Sequence, residues 1–306
     1  MKYEKILVPT DFLACANNAL KLAVEMADRH DSELHLVHAI SPTIAARMPA
    51  APYDIHDRFL HDTAQSLLET KKDILLKFPK LKIETFSGVG GVCKLTDNYV
   101  NEHQIDLVVM GTHGASGFKE FFIGSNSYDV IKEIICPVLT VPESFNKSLF
   151  TTILYPIRNV EGVIEKFDYI KPLVEKNISA IHLLGIVDNN QDLREERQAL
   201  TRALQLLKEQ LQTVCPHYIV DDIVHSDNLA ETILLTGKEV NADLVVINAT
   251  LDTNWHKFFS GSFTQQIVNH SKWPVLSVKP VLTEQKKAEI ALRNHESEIR
   301  HIPFDW

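Results

Sequence analysis

Asp106-Leu-Val-Val-Met110-Gly111-Thr-His-Gly114-Ala-Ser-Gly-Phe-Lys-Glu-Phe-Phe-Ile-Gly124-Ser125 passes from an apolar strand, through a glycine-bearing loop, to the polar start of a helix. A strand that opens in this way and closes on Gly-Ser presents unpaired main-chain N–H groups to the crevice beyond it. Phosphate is the natural occupant of such a crevice, since glycine lacks a Cβ and lets the backbone come close. The loop is not a Walker A loop, because no glycine-rich turn in the chain is followed by Gly-Lys-Ser/Thr. Nor is it the dinucleotide fingerprint, whose glycines belong to the first strand-to-helix turn.

Working outward, the chain repeats itself. Ala242-Asp-Leu-Val-Val-Ile247 echoes Ile105-Asp-Leu-Val-Val-Met110, and Trp273-Pro-Val-Leu-Ser-Val278 echoes Cys136-Pro-Val-Leu-Thr-Val141, both at an offset of 137. Near the front, Lys5-Ile-Leu-Val-Pro9 matches Thr152-Ile-Leu-Tyr-Pro156, and Leu34-His-Leu-Val-His38 matches Ile181-His-Leu-Leu-Gly185, at an offset of 147. The chain therefore reads as a duplicated domain with about ten residues deleted from the middle of the second copy. Each copy alternates short Val/Ile/Leu strands with longer helical patterns, the mark of a parallel sheet covered on both faces. In the first copy the pattern predicts strands near 4–9, 33–40, 81–86, 106–110 and 137–141. Helices are predicted near 15–30, 57–77, 91–103 and 125–135. The final strands of the two copies are apolar edges that proteins cover, and pairing them would make the chain a pseudo-dimer of itself.

The spacing G-x2-G-x9-G-[ST] over Gly111, Gly114, Gly124 and Ser125 resembles the signature of the universal stress protein family, in its ATP-binding branch. The resemblance spans residues 1 to about 280 as two tandem copies. It implies an α/β fold of two open α/β sandwiches, each with a five-stranded parallel sheet flanked by helices, of the adenine nucleotide alpha hydrolase type. The expected domains are 1–146, with the motif intact, and 150–282, with the motif degenerate; 283–306 form a C-terminal tail.

Ligands of open parallel sheets bind beyond the carboxyl ends of the strands, where strand order reverses. Carried over residue by residue, the resemblance implies that Pro9, Thr10 and Asp11 contact the adenosine side, with Ala39 facing the adenine edge. It places Met110 and Gly111 beside the ribose, and Gly114, Gly124 and Ser125 around the phosphates, with Asn126 and Ser127 adding donors. Gly88 matches a further glycine near the pocket. Mg²⁺ is expected to bridge the phosphates of ATP, held largely by water and the nucleotide. Each residue also has a plain reading: Thr10 and Asp11 as helix caps, Ser125 as an N-cap, Gly124 as a turn residue, and Lys119 and His113 as solvated loop residues. In the second copy Asn248 and Leu251 replace the two glycines and Arg158 replaces Asp11, while Gly261-Ser262 survives. No ATP is expected there: either the pocket is filled by its own side chains, or Arg158 admits a different anion.

The 306 residues suffice for two ordinary domains, and 45% hydrophobic with 23% charged residues reads as soluble and globular. A net charge of -9 argues against nucleic acid or an anionic membrane as partner. No secretory or membrane-spanning segment is visible, and Cys15, Cys93, Cys136 and Cys215 show no paired spacing, so a cytoplasmic location with reduced thiols is expected. His56 and His61, among carboxylates, are five apart and share a helical face poorly, which makes a solvated helix start the default over a metal site. No catalytic constellation follows from spacing: Glu120 or Asp11 could orient a water for slow hydrolysis, but the loop carries no evident general base, and the motif needs no catalysis to explain it. The expectation is an ATP-binding stress-response regulator that also homodimerises. The rivals are a slow ATP hydrolase or nucleotidyl-transfer enzyme, and a nucleotide-independent scaffold or small-ligand binder.

Overall fold

A computed structural model describes residues 2–42, 54–112, 124–160, 162–188, 193–215, 217–220, 223–249 and 263–279. In the first half, strands β1 (Lys5–Pro9), β2 (Glu33–Ile40), β3 (Ile83–Val89), β4 (Leu107–Gly111) and β5 (Val138–Val141) alternate with helices α1 (Ala14–His30), α2 (Asp54–Lys77), α3 (Val92–His103) and α4 (Ser125–Glu133). The second half supplies β6 (Thr152–Ile157), α5 (Lys166–Asn177), β7 (Ala180–Asp188), α6 (Leu193–Val214), β8 (Tyr218–Val220), β9 (Val224–Ser226), α7 (Leu229–Glu239), β10 (Leu244–Asn248), α8 (Phe263–His270) and β11 (Val275–Val278).

The fold class matches the sequence expectation, with two differences. β3 extends through Gly88 to Val89, beyond the expected end at 86. Its counterpart in the second half is broken into β8 and β9, both paired in parallel with β7. The offset between copies, 147 through β7, has fallen to 139 at the start of the next helix (Asp54 against Leu193), so most of the deletion lies between that strand and helix.

All the strands join one sheet in the order β3-β2-β1-β4-β5-β11-β10-β6-β7-β8, with β9 beside β7. Its pairings are parallel except at the centre, where β5 and β11 run antiparallel, with Leu139 opposite Leu276 and Val138 opposite Ser277. These four residues are buried, and the Thr140 hydroxyl donates to Val275 O at 3.2 Å across the seam. The strand alternation sends Ile6 and Val8 to one face and Leu7 to the other. One face packs against α1, α2, α5 and α6 in a core continuous across both halves; the other packs against α3, α4, α7 and α8. Off the sheet, Arg29 donates to Ser148 O and to Asn177 Oδ1, and the Tyr3 hydroxyl donates to Tyr169 O.

The repeated Ala/Ile-Asp-Leu-Val-Val motif has a structural use in both halves. Asp106 Oδ2 accepts from the amides of Glu4 and Lys5, both at 2.9 Å, and pins the entry of β4 to that of β1. Asp243 Oδ2 accepts from the amides of Thr151 and Thr152 and from the Thr151 hydroxyl, while Lys147 meets Oδ1 at 2.5 Å. Burial alone would raise the Asp243 carboxyl. Hydrogen bonds from Lys147 and Thr151, together with the Lys147 charge, outweigh it and hold the carboxyl below its usual value.

Two outcomes follow. Leu276→Ala, which empties a fully buried position at the seam, is expected to lower unfolding free energy by about 2–5 kcal/mol in a denaturant titration. Asp243→Asn removes a charged acceptor of several hydrogen bonds and is expected to cost about 1–3 kcal/mol at pH 7. Because the folded pKa of Asp243 is depressed, its contribution is fully present above the ordinary carboxylate pKa of about 4 and is lost as pH falls through the folded value. The stability gap between the two proteins should therefore narrow in acid, as denaturant titrations at pH 7 and pH 3 would read.

Candidate functional site

The order of strands reverses between β1 and β4, and there the carboxyl ends of β1, β2 and β4 face a cavity of about 250 Å³. Of the twelve residues expected from sequence, ten line it: Pro9, Thr10, Asp11, Ala39, Met110, Gly111, Gly124, Ser125, Asn126 and Ser127. Gly114 lies outside the described residues, as do His113, Lys119 and Glu120. Gly88 is described but does not line the cavity: it pairs with Ala39 in the sheet, and a Cβ there would stand 2.9 Å from Leu95 Cδ1. Sequence reasoning missed Ala16, Val37, Val92 and Thr96, which complete the wall.

The turn after β1 aims Asp11. Thr10 N donates to Val37 O at 2.8 Å, continuing the β1–β2 ladder, and His38 Nδ1 donates to Thr10 O at 2.8 Å. Phe12 then adopts φ 62°, a left-handed conformation costing about 1–2 kcal/mol in a residue with a Cβ. Local bonds hold it there. Phe12 N donates to Thr10 Oγ1 at 3.1 Å, Leu13 N to Asp11 Oδ1 at 3.0 Å, and Asn17 Nδ2 to Phe12 O at 2.9 Å. The Phe12 ring also stacks on His38 with centroids 5.0 Å apart. Thr10 and Asp11 thus brace the turn; the N-cap position of α1 belongs to Leu13, so neither is the helix cap that the plain reading assigned.

At the other side, Gly124 occupies the N-cap position of α4, and Ser125 is the first helical residue. Glycine has no side-chain oxygen to offer the first-turn amides, which leaves them facing the cavity mouth with the positive end of the helix dipole. The Ser127 hydroxyl donates to Gly111 O at 2.9 Å and ties α4 to β4, so its side chain is already engaged. Gly111 is demanded by packing as well: a Cβ there would lie 2.7 Å from Cys15 Sγ and 2.9 Å from the Cys15 carbonyl carbon. What approaches this glycine closely is the first turn of α1.

The far wall is apolar. Val37 and Ala39 on β2 face Val92 on α3, and Thr96 beside them is fully buried with no hydrogen-bond partner for its hydroxyl. One turn further along, the Tyr99 hydroxyl meets His35 Nδ1 at 3.0 Å, seating α3 on β2. Burial, reinforced by Glu84, Glu33 and Glu102, pushes the Tyr99 hydroxyl up to about 12, and burial pulls the His35 imidazole down. Both groups therefore stay neutral near pH 7, and the seat does not change with charge. Among the described lining residues Asp11 is the sole charged side chain.

The second half contains the same place, filled. At the repeat offsets Ala16 becomes Val163, Ala39 becomes Ile186, Thr10 becomes Ile157 and Thr96 becomes Ile233, each bulkier and each buried. Arg158, at the position of Asp11, lies with its guanidinium carbon 4.1 Å from the ring centroid of Phe263, which replaces Asn126. Lys166 replaces Ala19 and is fully buried, its ammonium donating to Pro156 O at 2.8 Å and Val246 O at 3.2 Å. Burial, with Arg158 nearby, holds Lys166 well below the ordinary lysine value. The pocket that Pro156, Arg158, Lys166, Asn248 and Phe263 line there has a volume of about 10 Å³. Leu251 and Gly261-Ser262 lie outside the described residues.

Elsewhere, no group of three or more His, Cys, Asp or Glu is placed to hold a metal among the described residues. The side chain of His56 is outside that set. No described helix is long and apolar enough to cross a membrane.

Comparison with known proteins agrees with this architecture. A model of the universal stress protein family matches residues 2–142 and again residues 150–279. The chain is 29% identical over 140 residues to universal stress protein MJ0531 of Methanocaldococcus jannaschii, covering 45% of this chain and 82% of that protein. It is 26% identical over 146 residues to universal stress protein YxiE of Bacillus subtilis, covering 45% and 99%. Among solved structures, a universal stress protein from Archaeoglobus fulgidus matches with a TM-score of 0.71 at 19% identity, over 91% of this chain and 99% of that one. A putative universal stress protein from Pseudomonas aeruginosa gives 0.60 at 15% identity, over 91% and 94%. At these identities the structural likeness speaks to the fold, whereas the family model takes in each half nearly end to end. With one shared sheet built from two copies of the same strand-helix unit, the chain belongs to the universal stress protein family as a tandem two-domain member.

Proposed function

We propose that the chain is a stress-response regulator that holds ATP, with Mg²⁺, in its N-terminal half and uses its C-terminal half for assembly. The observation that carries this reading is the contrast between two equivalent places in one molecule: about 250 Å³ open at the first and about 10 Å³ at the second. The residues of the open cavity suit an adenine nucleotide in kind. Amides at the start of α4, uncapped by any side chain, suit phosphate oxygens. Asp11, whose Oδ1 is engaged by Leu13 N, has its second oxygen to accept from ribose or base. Val37, Ala39 and Val92 offer apolar contact to a flat ring. The helix dipole and a metal ion carried by the nucleotide offset phosphate charge in this reading.

Binding serves as a signal in this reading, and the carboxylate of the described lining braces a turn through its Oδ1. ATP stabilises whichever arrangement of the α4 entrance its phosphates prefer, and a partner reads that surface.

Native mass spectrometry of the purified chain with Mg-ATP is expected to show one adenine nucleotide per chain, and the same spectra read whether the chain pairs with a second copy. Two nucleotides per chain would overturn the assignment of the second half, and none would overturn the reading as a whole. At a hundredfold excess of ATP over Kd the stabilisation is about 2.7 kcal/mol, a rise in Tm of roughly 5–10 °C. Gly124→Leu, which places a branched side chain at the α4 entrance, is expected to abolish that rise. Phosphate release from the unsubstituted protein should stay at the level of Asp11→Ala; release well above it would favour the hydrolase.

A further inference from the structure

We infer that Thr96 reads the base: its buried hydroxyl hydrogen-bonds to the polar edge of the heterocycle of the bound nucleotide. This rests on the nucleotide reading of the cavity and extends it to a residue that no motif indicates.

The argument starts from an unmet need. A buried hydroxyl without a partner is unfavourable, and native structures leave few. Thr96 is fully buried, its Oγ1 has no partner, and the residue lines the cavity. A threonine inside a helix commonly satisfies its hydroxyl on the carbonyl one turn back. Here that bond is not made; Thr96 lies in the cavity wall with no exposed surface of its own, so a bound ligand meets the hydroxyl by a small shift of that wall.

Position then selects the part of the ligand. The amides of Ser125 to Ser127 lie at the α4 entrance beside β4. Val37, Ala39 and Val92 lie on β2 and α3, with β2 on the far side of β1 from β4. A nucleotide spanning the two ends has its phosphates at α4 and its flat, apolar-faced ring between β2 and α3. A heterocycle buried in an apolar slot still carries ring nitrogens and exocyclic groups that need partners. A threonine hydroxyl can donate to one and accept from another. Among Val37, Ala39, Val92 and Thr96, the described residues of that slot, Thr96 carries the polar side chain.

The second half acts as an internal control. The residue at the position of Thr96 is Ile233, fully buried in a half whose equivalent cavity is filled. An aliphatic side chain therefore suits this place on the helix, and a hydroxyl appears in the half that keeps its cavity open.

Isothermal titration with Mg-ATP and thermal unfolding without nucleotide, on the unsubstituted chain, Thr96→Val and Thr96→Ser, test the inference. Thr96→Val keeps the shape and removes the hydroxyl, so it is expected to weaken ATP about 3- to 10-fold, the worth of one hydrogen bond. Its nucleotide-free Tm should equal or exceed that of the unsubstituted chain, because an unpartnered polar group has been removed. Thr96→Ser, which restores a hydroxyl, should bind within about twofold of the unsubstituted chain. The inference is overturned if Thr96→Val binds as tightly as the unsubstituted protein, or if Thr96→Ser binds as weakly as Thr96→Val. It is also overturned if the loss of affinity in Thr96→Val accompanies a lower nucleotide-free Tm, since the hydroxyl would then be structural. Absence of ATP binding by the unsubstituted chain removes the nucleotide reading itself, and this inference with it.

Discussion

The antiparallel pairing of β5 with β11 is the constraint on which the rest of the molecule depends. Each half on its own would end its sheet on an apolar strand with unpaired amides and carbonyls, an edge that invites association with other chains. Placing Leu139 against Leu276 and Val138 against Ser277 satisfies both edges at once and joins the five strands of the first half and the six of the second into one sheet. A continuous sheet requires that the helices covering one face also meet across the seam. The core formed by α1, α2, α5 and α6 does so, with Arg29 and Tyr3 bonded across the same boundary.

Within that shared frame the halves are free to differ at their strand ends. Those positions keep their strand pairing in both halves, and what differs is the size of the side chain, small where a space is kept and large where it joins the core. In the first half small residues and a turn forced through a left-handed Phe12 keep it open. In the second half isoleucines, a buried lysine on two strand-end carbonyls and an arginine over a phenyl ring close it. Protein interiors are packed to the density of organic crystals, so a few added methylenes are enough to erase a cavity.

Much of this was legible in the chain. The repeated Asp-Leu-Val-Val motif and the Pro-Val-Leu strands gave both copies, their order and the edges that pair, because buried parallel strands demand uninterrupted β-branched runs. The glycine spacing after β4 and the Pro-Thr-Asp turn after β1 marked most of the cavity wall. Ala16, Val37, Val92 and Thr96 escaped notice because they sit inside strands and helices, where small apolar residues look like any core. The signal that separates them is the comparison of copies: at each, the second half has a larger residue, Val163, Leu184, Leu229 and Ile233. The structure adds packing reasons at two of the expected positions: α1 presses on Gly111, and the Ser127 hydroxyl holds α4 to β4.

By itself, the sequence determined the fold class, the duplication, the family and the end of the sheet where a ligand belongs, since periodicity and motif spacing are properties of the chain read in order. Only the tertiary structure decided which side chains close the place in the second half and which residues of α3 and β2 reach the cavity in the first. Those facts depend on distances between segments far apart in sequence, where one methyl group more or less determines whether two walls touch.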